Sequence, residues 1–435
     1  PFMKLFVLPF IILYCITYSL YSQNAHQLAM QKADAIEQKV IEWRRYFHEN
    51  PELSNREFKT AEKIAAHLKS LGLEVQTGIA HTGVTGILKG AKKGPVIGLR
   101  ADIDALPVTE RNDLPFKSEV VTEYNGQKTG VMHACGHDTH IAIMMGVAEV
   151  LAGMKKELAG TVKFIFQPAE EGVPPGERGG AKMMVEEGVL KDPDVETIFG
   201  LHINAGTPVG HIKYKTEGIM AASDRFTIKI HGKQAHGSTP WASVDPIAVS
   251  AQIINGLQYI ISRDAELTKE AAVITVGIMQ SGVRFNIIPE EAHLEGTIRT
   301  LDKEMQKKIH DKIRLTAKNI AEIAGATVEV EIQENAPLTY NNIELTNKMV
   351  PSLIKTAGAE NVHVMKAITG AEDFSYFQNE IPGLYFFIGG QPASKKEGQA
   401  LGGHHTPDFY IDESGMITGV KAFLNLTLDY MEITK

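Results

Sequence analysis

Apolar positions recur at helical spacing over residues 28–47, where Ile36, Val40 and Trp43 share one face, and over residues 51–71, which Gly72 closes. Short apolar runs then alternate with helical ones. Strands are predicted at 83–88, 96–100, 161–166 and 195–203, with 210–215 continuing the sheet or forming its margin and helices at 141–154 and 181–187. Near Glu217 the pattern changes to the half-exposed alternation of residues 223–231, a turn-rich 232–240 and a helix at 245–261. Strands at 272–279 and 292–300, a helix at 302–324 and a strand at 326–332 complete a strand, helix, strand, strand, helix, strand set. That order predicts an inserted ferredoxin-like α+β domain. The earlier alternation then resumes: helix 342–357, strands 362–365 and 384–388, and a closing helix at 414–431.

At 435 residues the chain exceeds one ordinary core. The pattern divides it into a catalytic domain in two pieces, 27–216 and 336–435, around an insert at 217–335. A net charge of -8 without a long basic block argues against a nucleic-acid partner. Residues 5–20, uncharged and mostly apolar after Lys4, read as the core of a signal peptide starting at Met3 and cleaved near Ser22 or Gln23. Pro1 and Phe2 then precede the start, and the apolar run 5–20 inside the 1–22 leader is shorter than an ordinary membrane span. The expected location is secreted or periplasmic, or cytoplasmic if that segment does not act as a leader, with no stable membrane span after cleavage. Cys15 would leave with the leader, so Cys135 could form no internal disulfide.

The densest chemistry is residues 131–140, VMHACGHDTH, directly before the predicted helix at 141. Cys135 and His137, one residue apart, can converge on a metal, and thiolate beside imidazole suits zinc or a neighbouring transition metal. A buried Cys among ordinary histidines in a polar turn is the plainer reading. Other candidates sit past predicted strands, where open α/β sheets place their chemistry: Asp102 and Asp104, Glu170 and Glu171, His202, and the His404–His405 pair. A solvated turn in which Asp102 or Asp104 caps backbone N–H groups is the plainer reading, and for Asp104 it stands level with a direct role. Cys135, His137, Glu171, His202 and His405 exceed what one tetrahedral zinc needs and suit two metals sharing a water.

The strings MHACGHDTH, QPAEEG, GLHI, GKQAHGSTP and HHTPDF resemble the aminoacylase, carboxypeptidase and hippurate hydrolase-like metallo-amidohydrolases, in the branch of plant auxin-conjugate hydrolases and bacterial N-acyl-amino-acid amidohydrolases. The resemblance runs from about Ala33 to Tyr430. It implies an α/β fold, a zinc-peptidase-like catalytic domain with helices around a central mixed sheet, and makes the insert a dimerisation and lid domain. It also implies Cys135, His137, Glu171, His202 and His405 as ligands of two divalent ions, zinc or manganese foremost and cobalt or nickel permitted. Glu170 becomes the general base. His236 would reach the partner's site in a homodimer to steady the reacting oxygen or bind substrate. His-x-Pro spacing favours His405 over His404. Many relatives open their metal set with His-x-Asp. This chain has Arg100-Ala101-Asp102 instead, which leaves Asp102 either supporting a ligand from behind or capping a loop, and argues against an aminopeptidase or dipeptidase assignment carried over from more distant relatives.

The expected reaction is cleavage of the amide of an N-acyl-amino acid, or of a short peptide, by metal-activated water without an acyl-enzyme. Two divalent ions bring more positive charge than Cys135 and Glu171 return. An anionic substrate would suit such a site, its carboxylate near His236, Asn286 or Arg299. A structural ion pair for Arg299 and a plain turn at Asn286 are the alternatives. Competing functions are a metallo-carboxypeptidase or dipeptidase using the same site, and a metal-dependent small-molecule binding protein. Retention of Glu170, which binding alone does not need, speaks against the last.

Overall fold

The computed structural model describes residues 7–393 and 402–434, with side chains described from residue 24 onward. The leader expected over 1–22, with Cys15, therefore lies outside the described side chains. No helix among the described residues is long and apolar enough to cross a membrane.

Two compact units divide the chain. The larger comprises residues 1–216, 341–365 and 376–435, and the smaller 217–340 and 366–375. The larger unit is built on an eight-stranded mixed sheet. Its spatial order is Glu74–Ile79, Gly83–Lys89, Ala159–Gln167, Lys92–Asp102, Thr197–Pro208, Gly383–Gln391, Ile212–Tyr214 and Val362–Val364. The four middle strands of that order, from Ala159–Gln167 to Gly383–Gln391, run parallel. Their carboxyl ends therefore open on one edge of the sheet, the edge where crossover folds place binding groups. Phe164, Phe166, Phe199, Leu201, Phe386 and Ile388 are all buried, the near-continuous apolar composition of strands covered on both faces.

Helix His137–Ala152 is buried almost all round, and it packs with Met416–Ile433 on these strands while Val7–Glu49 packs on both helices. This places the first turn of His137–Ala152 among the strand ends. His137 is itself the first residue of that helix, which begins four residues earlier than its apolar run suggests.

The smaller unit holds a four-stranded antiparallel sheet in the order Ala272–Ser281, Glu291–Thr300, Ala222–His231, Thr327–Ala336. Ala222–His231 alternates buried and half-exposed positions along its length. Helix Lys303–Ala324 buries Met305, Ile309, Ile313, Ala317 and Ala321, a strict four-residue spacing, and Asp302 caps it by accepting from the Met305 N–H. Helix Pro246–Tyr259 is capped in the same way by Asp245.

Candidate metal centre

Gly136 makes the turn between Cys135 and His137. Its φ is +94°, and a Cβ there would stand 2.6 Å from Ile203 Cγ2, so both the backbone conformation and the space require glycine. This turn sends the Cys135 thiol and the His137 ring to the same spot. The sulfur lies 3.3 Å from His202 Nε2 and 3.3 Å from His405 Nε2. Glu171 Oε1 lies 3.2 Å from His405 Nε2 and 3.8 Å from His137 Nε2. Five side chains from four separate stretches of chain thus meet at one place.

The imidazole tautomers prepare this cluster for a cation. His137 donates its Nδ1–H to the Asp104 carbonyl at 2.9 Å, and His202 donates its own to the Ile203 carbonyl at 2.5 Å. Each bond leaves the Nε2 lone pair directed into the cluster. His137 Nε2 and Glu171 Oε1 are buried without a hydrogen-bond partner, an arrangement that costs free energy unless a cation or proton meets them. Asp102, Glu170 and Glu171 oxygens all stand 3.8–3.9 Å from His137 Nε2. That is too far for hydrogen bonds, and it suits a cation held among them. Among the described residues, Cys135–His137–Glu171, Cys135–His202–His404 and the fully buried Asp102–His137–His140 each bring donors close enough to hold an ion. The residues present fit a divalent metal centre.

Without such a cation, burial would depress the His137 pKa, but Asp102, Asp104 and Glu171 override it and raise it to about 10. Burial, reinforced by Glu171 and Glu170, pushes the Cys135 thiol up. Burial, with His140 and His404 nearby, holds His202 well below the ordinary imidazole value. A proton on His137 thus stands in for part of the positive charge that the carboxylates call for.

The loop that delivers Glu170 and Glu171 is anchored from behind by two buried carboxyl groups. Asp104 Oδ2 accepts from the Glu171 N–H at 3.0 Å and from the Ser54 hydroxyl at 2.7 Å. Glu57 accepts from the Ala169 N–H at 2.9 Å and from the Thr82 hydroxyl at 2.6 Å. Ala169 sits at φ +53°, so the loop bends sharply just before its two glutamates. Burial and the neighbouring Asp104 push the Glu57 pKa up to about 8. Nothing in the local pattern around Glu57 signalled this role, since its partners lie 25 and 112 residues away.

Other members of the dense motif do different work. Asp138 accepts from His48 Nδ1 at 2.8 Å and forms an ion pair with the Arg44 guanidinium, whose Nε stands 2.8 Å away, in a buried network. His404 donates Nδ1–H to the Cys135 carbonyl at 3.1 Å, and its Nε2 accepts from the Ala205 N–H at 3.3 Å, which occupies both nitrogens. His405, at φ +64°, turns its Nε2 toward Glu171 and Cys135 and is held by its own N–H to the Ala134 carbonyl. Cys135 is a buried free thiol.

In the smaller unit, His236 lies on the two-residue strand Ala235–His236, paired with Ile287–Ile288. Its Nδ1 accepts from the Ser238 N–H and hydroxyl, and Gly237 N–H donates to the Asn286 carbonyl, which brings His236 and Asn286 together. Arg299, half-buried on Glu291–Thr300, donates to Thr297 Oγ1 and the Ile298 carbonyl. Burial lowers the Arg299 pKa, and the nearby Asp224 charge opposes that shift.

Comparison with known proteins agrees with this geometry. Thermostable carboxypeptidase 2 of Saccharolobus solfataricus is 40% identical over 397 residues, 91% of this chain and 96% of that protein. N-acetylcysteine deacetylase of Bacillus subtilis is 38% identical over 402 residues, 92% and 99% of the two chains. IAA-amino acid hydrolase ILR1-like 4 of Arabidopsis thaliana is 34% identical over 393 residues, 89% and 84%. The crystal structure of Bacillus subtilis YXEP protein, described as a dinuclear metal binding peptidase, superposes with a TM-score of 0.77 at 35% identity over 92% of this chain and all of that one. The model of peptidase family M20/M25/M40 matches residues 98–429. A buried donor cluster at the carboxyl edge of a mixed sheet and relatives that span carboxypeptidases, deacetylases and auxin-conjugate hydrolases lead to one assignment: the chain belongs to peptidase family M20/M25/M40.

Proposed function

We propose that the chain is a metal-dependent amidohydrolase that cleaves N-acyl-amino acids, with Glu170 as general base. The observation that carries this reading is the convergence of the His137, His202 and His405 Nε2 atoms on the Cys135 thiol and the Glu171 carboxylate, with Glu170 beside them. These five side chains would hold two divalent ions. Zinc and manganese suit the mixed thiolate, imidazole and carboxylate set best, with cobalt or nickel permitted. Such ions supply polarisation of the scissile carbonyl and a lowered water pKa. Glu170 takes the proton of the attacking water and returns it to the leaving nitrogen, so the acyl group passes directly to water.

The relatives support this substrate class. The relatives include a carboxypeptidase and an N-acetylcysteine deacetylase, names that point to the carboxyl end of a peptide and to an N-acetylated amino acid. The two ions would bring +4 against the charges of Cys135 and Glu171, but Glu170 and the buried Asp102 and Asp104 add negative charge beside them, so the preference for an anionic substrate rests on the relatives. A metallo-carboxypeptidase or dipeptidase acting on short peptides is the second reading, favoured by the 40% identity to a carboxypeptidase.

The smaller unit, with its strand, helix, strand, strand, helix, strand succession, is read as a ferredoxin-like dimerisation and lid domain. In a homodimer His236 would act at the partner's site, with Asn286 and Arg299 binding the substrate carboxylate. Residues 1–22 are read as a leader for export.

The test is a metal-reconstituted assay with zinc, manganese, cobalt or nickel. N-acetyl and N-benzoyl amino acids, dipeptides and the matching uncharged amides are compared. Chelator-sensitive hydrolysis of the N-acyl-amino acids, weaker on their amides, is expected. No turnover with any of the four metals would remove the proposal, and equal rates on acids and amides would remove the carboxylate recognition.

A further inference from the structure

Asp102 and His140 form a fully buried pair beside the donor cluster. His140 Nδ1 stands 2.5 Å from Asp102 Oδ1. On the other side of the ring, His140 Nε2 stands 2.9 Å from the backbone nitrogen of Ile203. An amide N–H can only donate, so Nε2 must be unprotonated and Nδ1 must carry the hydrogen that Asp102 accepts. Both ring nitrogens are therefore occupied, and neither lone pair is left for a metal. The Asp102 carboxylate is held in turn by Arg100 Nη1, 2.7 Å from Oδ2, while Arg100 Nε donates to Gln167 Oε1 at 2.8 Å. Gln167 ends the strand Ala159–Gln167 that leads into Glu170 and Glu171. Ile203 follows His202 directly, and its carbonyl accepts the His202 Nδ1–H.

We infer that Asp102 and His140 are a positioning pair for His202. Asp102 fixes the His140 ring, and the ring holds the Ile203 N–H, in the peptide that joins His202 to Ile203, and so places the residue whose own carbonyl, in the next peptide, aims His202. His140 is not itself a ligand, although Asp102, His137 and His140 lie close enough to hold an ion together. The chain Gln167, Arg100, Asp102, His140, Ile203 ties the carboxyl ends of Ala159–Gln167 and Lys92–Asp102 to the middle of Thr197–Pro208, and so bears on the spacing of Glu171 and His202. This inference rests on the metal-site reading proposed above and adds how one donor is aimed. Partners behind a metal-binding imidazole commonly change metal affinity by about 10–100-fold when removed.

The test is a double-mutant cycle read by metal affinity, with Zn²⁺ or Mn²⁺ titrated against a competing fluorescent chelator on the full chain. His140→Ala should weaken affinity by about 10–100-fold in the wild-type background and by no more than about twofold in a His202→Ala background. His140→Gln, whose carboxamide both donates and accepts, should recover part of the loss, and Asp102→Asn should resemble His140→Ala. Should His140→Ala not fold, His140→Gln and Asp102→Asn carry the same cycle. Equal losses in both backgrounds would overturn the inference, because an independent ligand or a general packing role adds where a positioning role does not. Unchanged affinity in every His140 variant would also overturn it. Failure of the wild-type chain to take up either metal would sink the metal-site reading and this inference together.

Discussion

The Glu171 N–H donates to the Asp104 carboxylate at 3.0 Å, and the Asp104 carbonyl receives His137 Nδ1–H at 2.9 Å. One buried residue thus sets the distance between a carboxylate donor and an imidazole donor of the candidate metal centre. Asp104→Ala should weaken metal binding by about 10–100-fold. The carbonyl bond to His137 survives that substitution, so Asp104→Asn, which keeps an acceptor oxygen, should lose less. Chelator-competition titrations of the two variants check this. An Asp104→Ala protein with wild-type affinity would contradict it.

Metal uptake should release protons. The His137 pKa is raised to about 10 and the Cys135 thiol is pushed up, so both groups carry protons at neutral pH in the metal-free chain. Both must lose them to bind a cation. Affinity should therefore rise with pH from 6 to 9. Calorimetric binding enthalpies should vary with the ionisation enthalpy of the buffer, and enthalpies independent of the buffer would refute the protonation states described.

Glu170→Gln keeps size and hydrogen-bonding capacity while removing the base. A fall in kcat of about 10²–10⁴-fold is expected, with bound metal unchanged by elemental analysis. Turnover within a few-fold of wild type, at full metal content, would assign proton transfer elsewhere.

Gly136→Ala should damage the centre and the fold together. The new Cβ would stand 2.6 Å from Ile203 Cγ2 at a backbone φ of +94°. A residue held at such a φ costs about 1–3 kcal/mol. A lowered thermal midpoint with loss of metal stoichiometry is the expected outcome. A variant as stable as wild type would show that the Cys135–His137 turn is more compliant than its packing indicates.

Glu57 predicts a pH dependence of stability. Burial and Asp104 raise its folded-state pKa from 4.5 to about 8. The unfolded chain therefore gives up this proton more readily, and the associated stability is fully present below about pH 4.5 and lost as pH rises through about 8. Glu57→Gln stays uncharged and should flatten that decline in thermal midpoints measured from pH 5 to 9. An identical slope in wild type and variant would exclude Glu57 as its source.

Residue types and spacing by themselves determined most of the order of elements, the change of character near Glu217 and the placing of Cys135, Glu171 and His405 in turns or loops, whereas His202, expected near the end of a strand over 195–203, lies inside Thr197–Pro208. Hydrophobic periodicity and turn chemistry are local properties, so they are legible along the chain. The strand Glu74–Ile79 and the hairpin Val121–Tyr124 with Gln127–Gly130 escaped that reading because their residues are largely exposed and carry little apolar alternation. Only the tertiary structure gave the surroundings of neighbours of identical chemistry, although His-x-Pro spacing already favoured His405. His404 and His405 differ only in which ring finds two backbone partners and which turns its Nε2 to Glu171 and Cys135. The same holds for Asp102, paired with a ring 38 residues away, and for Glu57, bonded to a backbone N–H 112 residues away. A hydrogen bond is set by distances of a few tenths of an ångström, and those arise only when the sheet brings remote strand ends together.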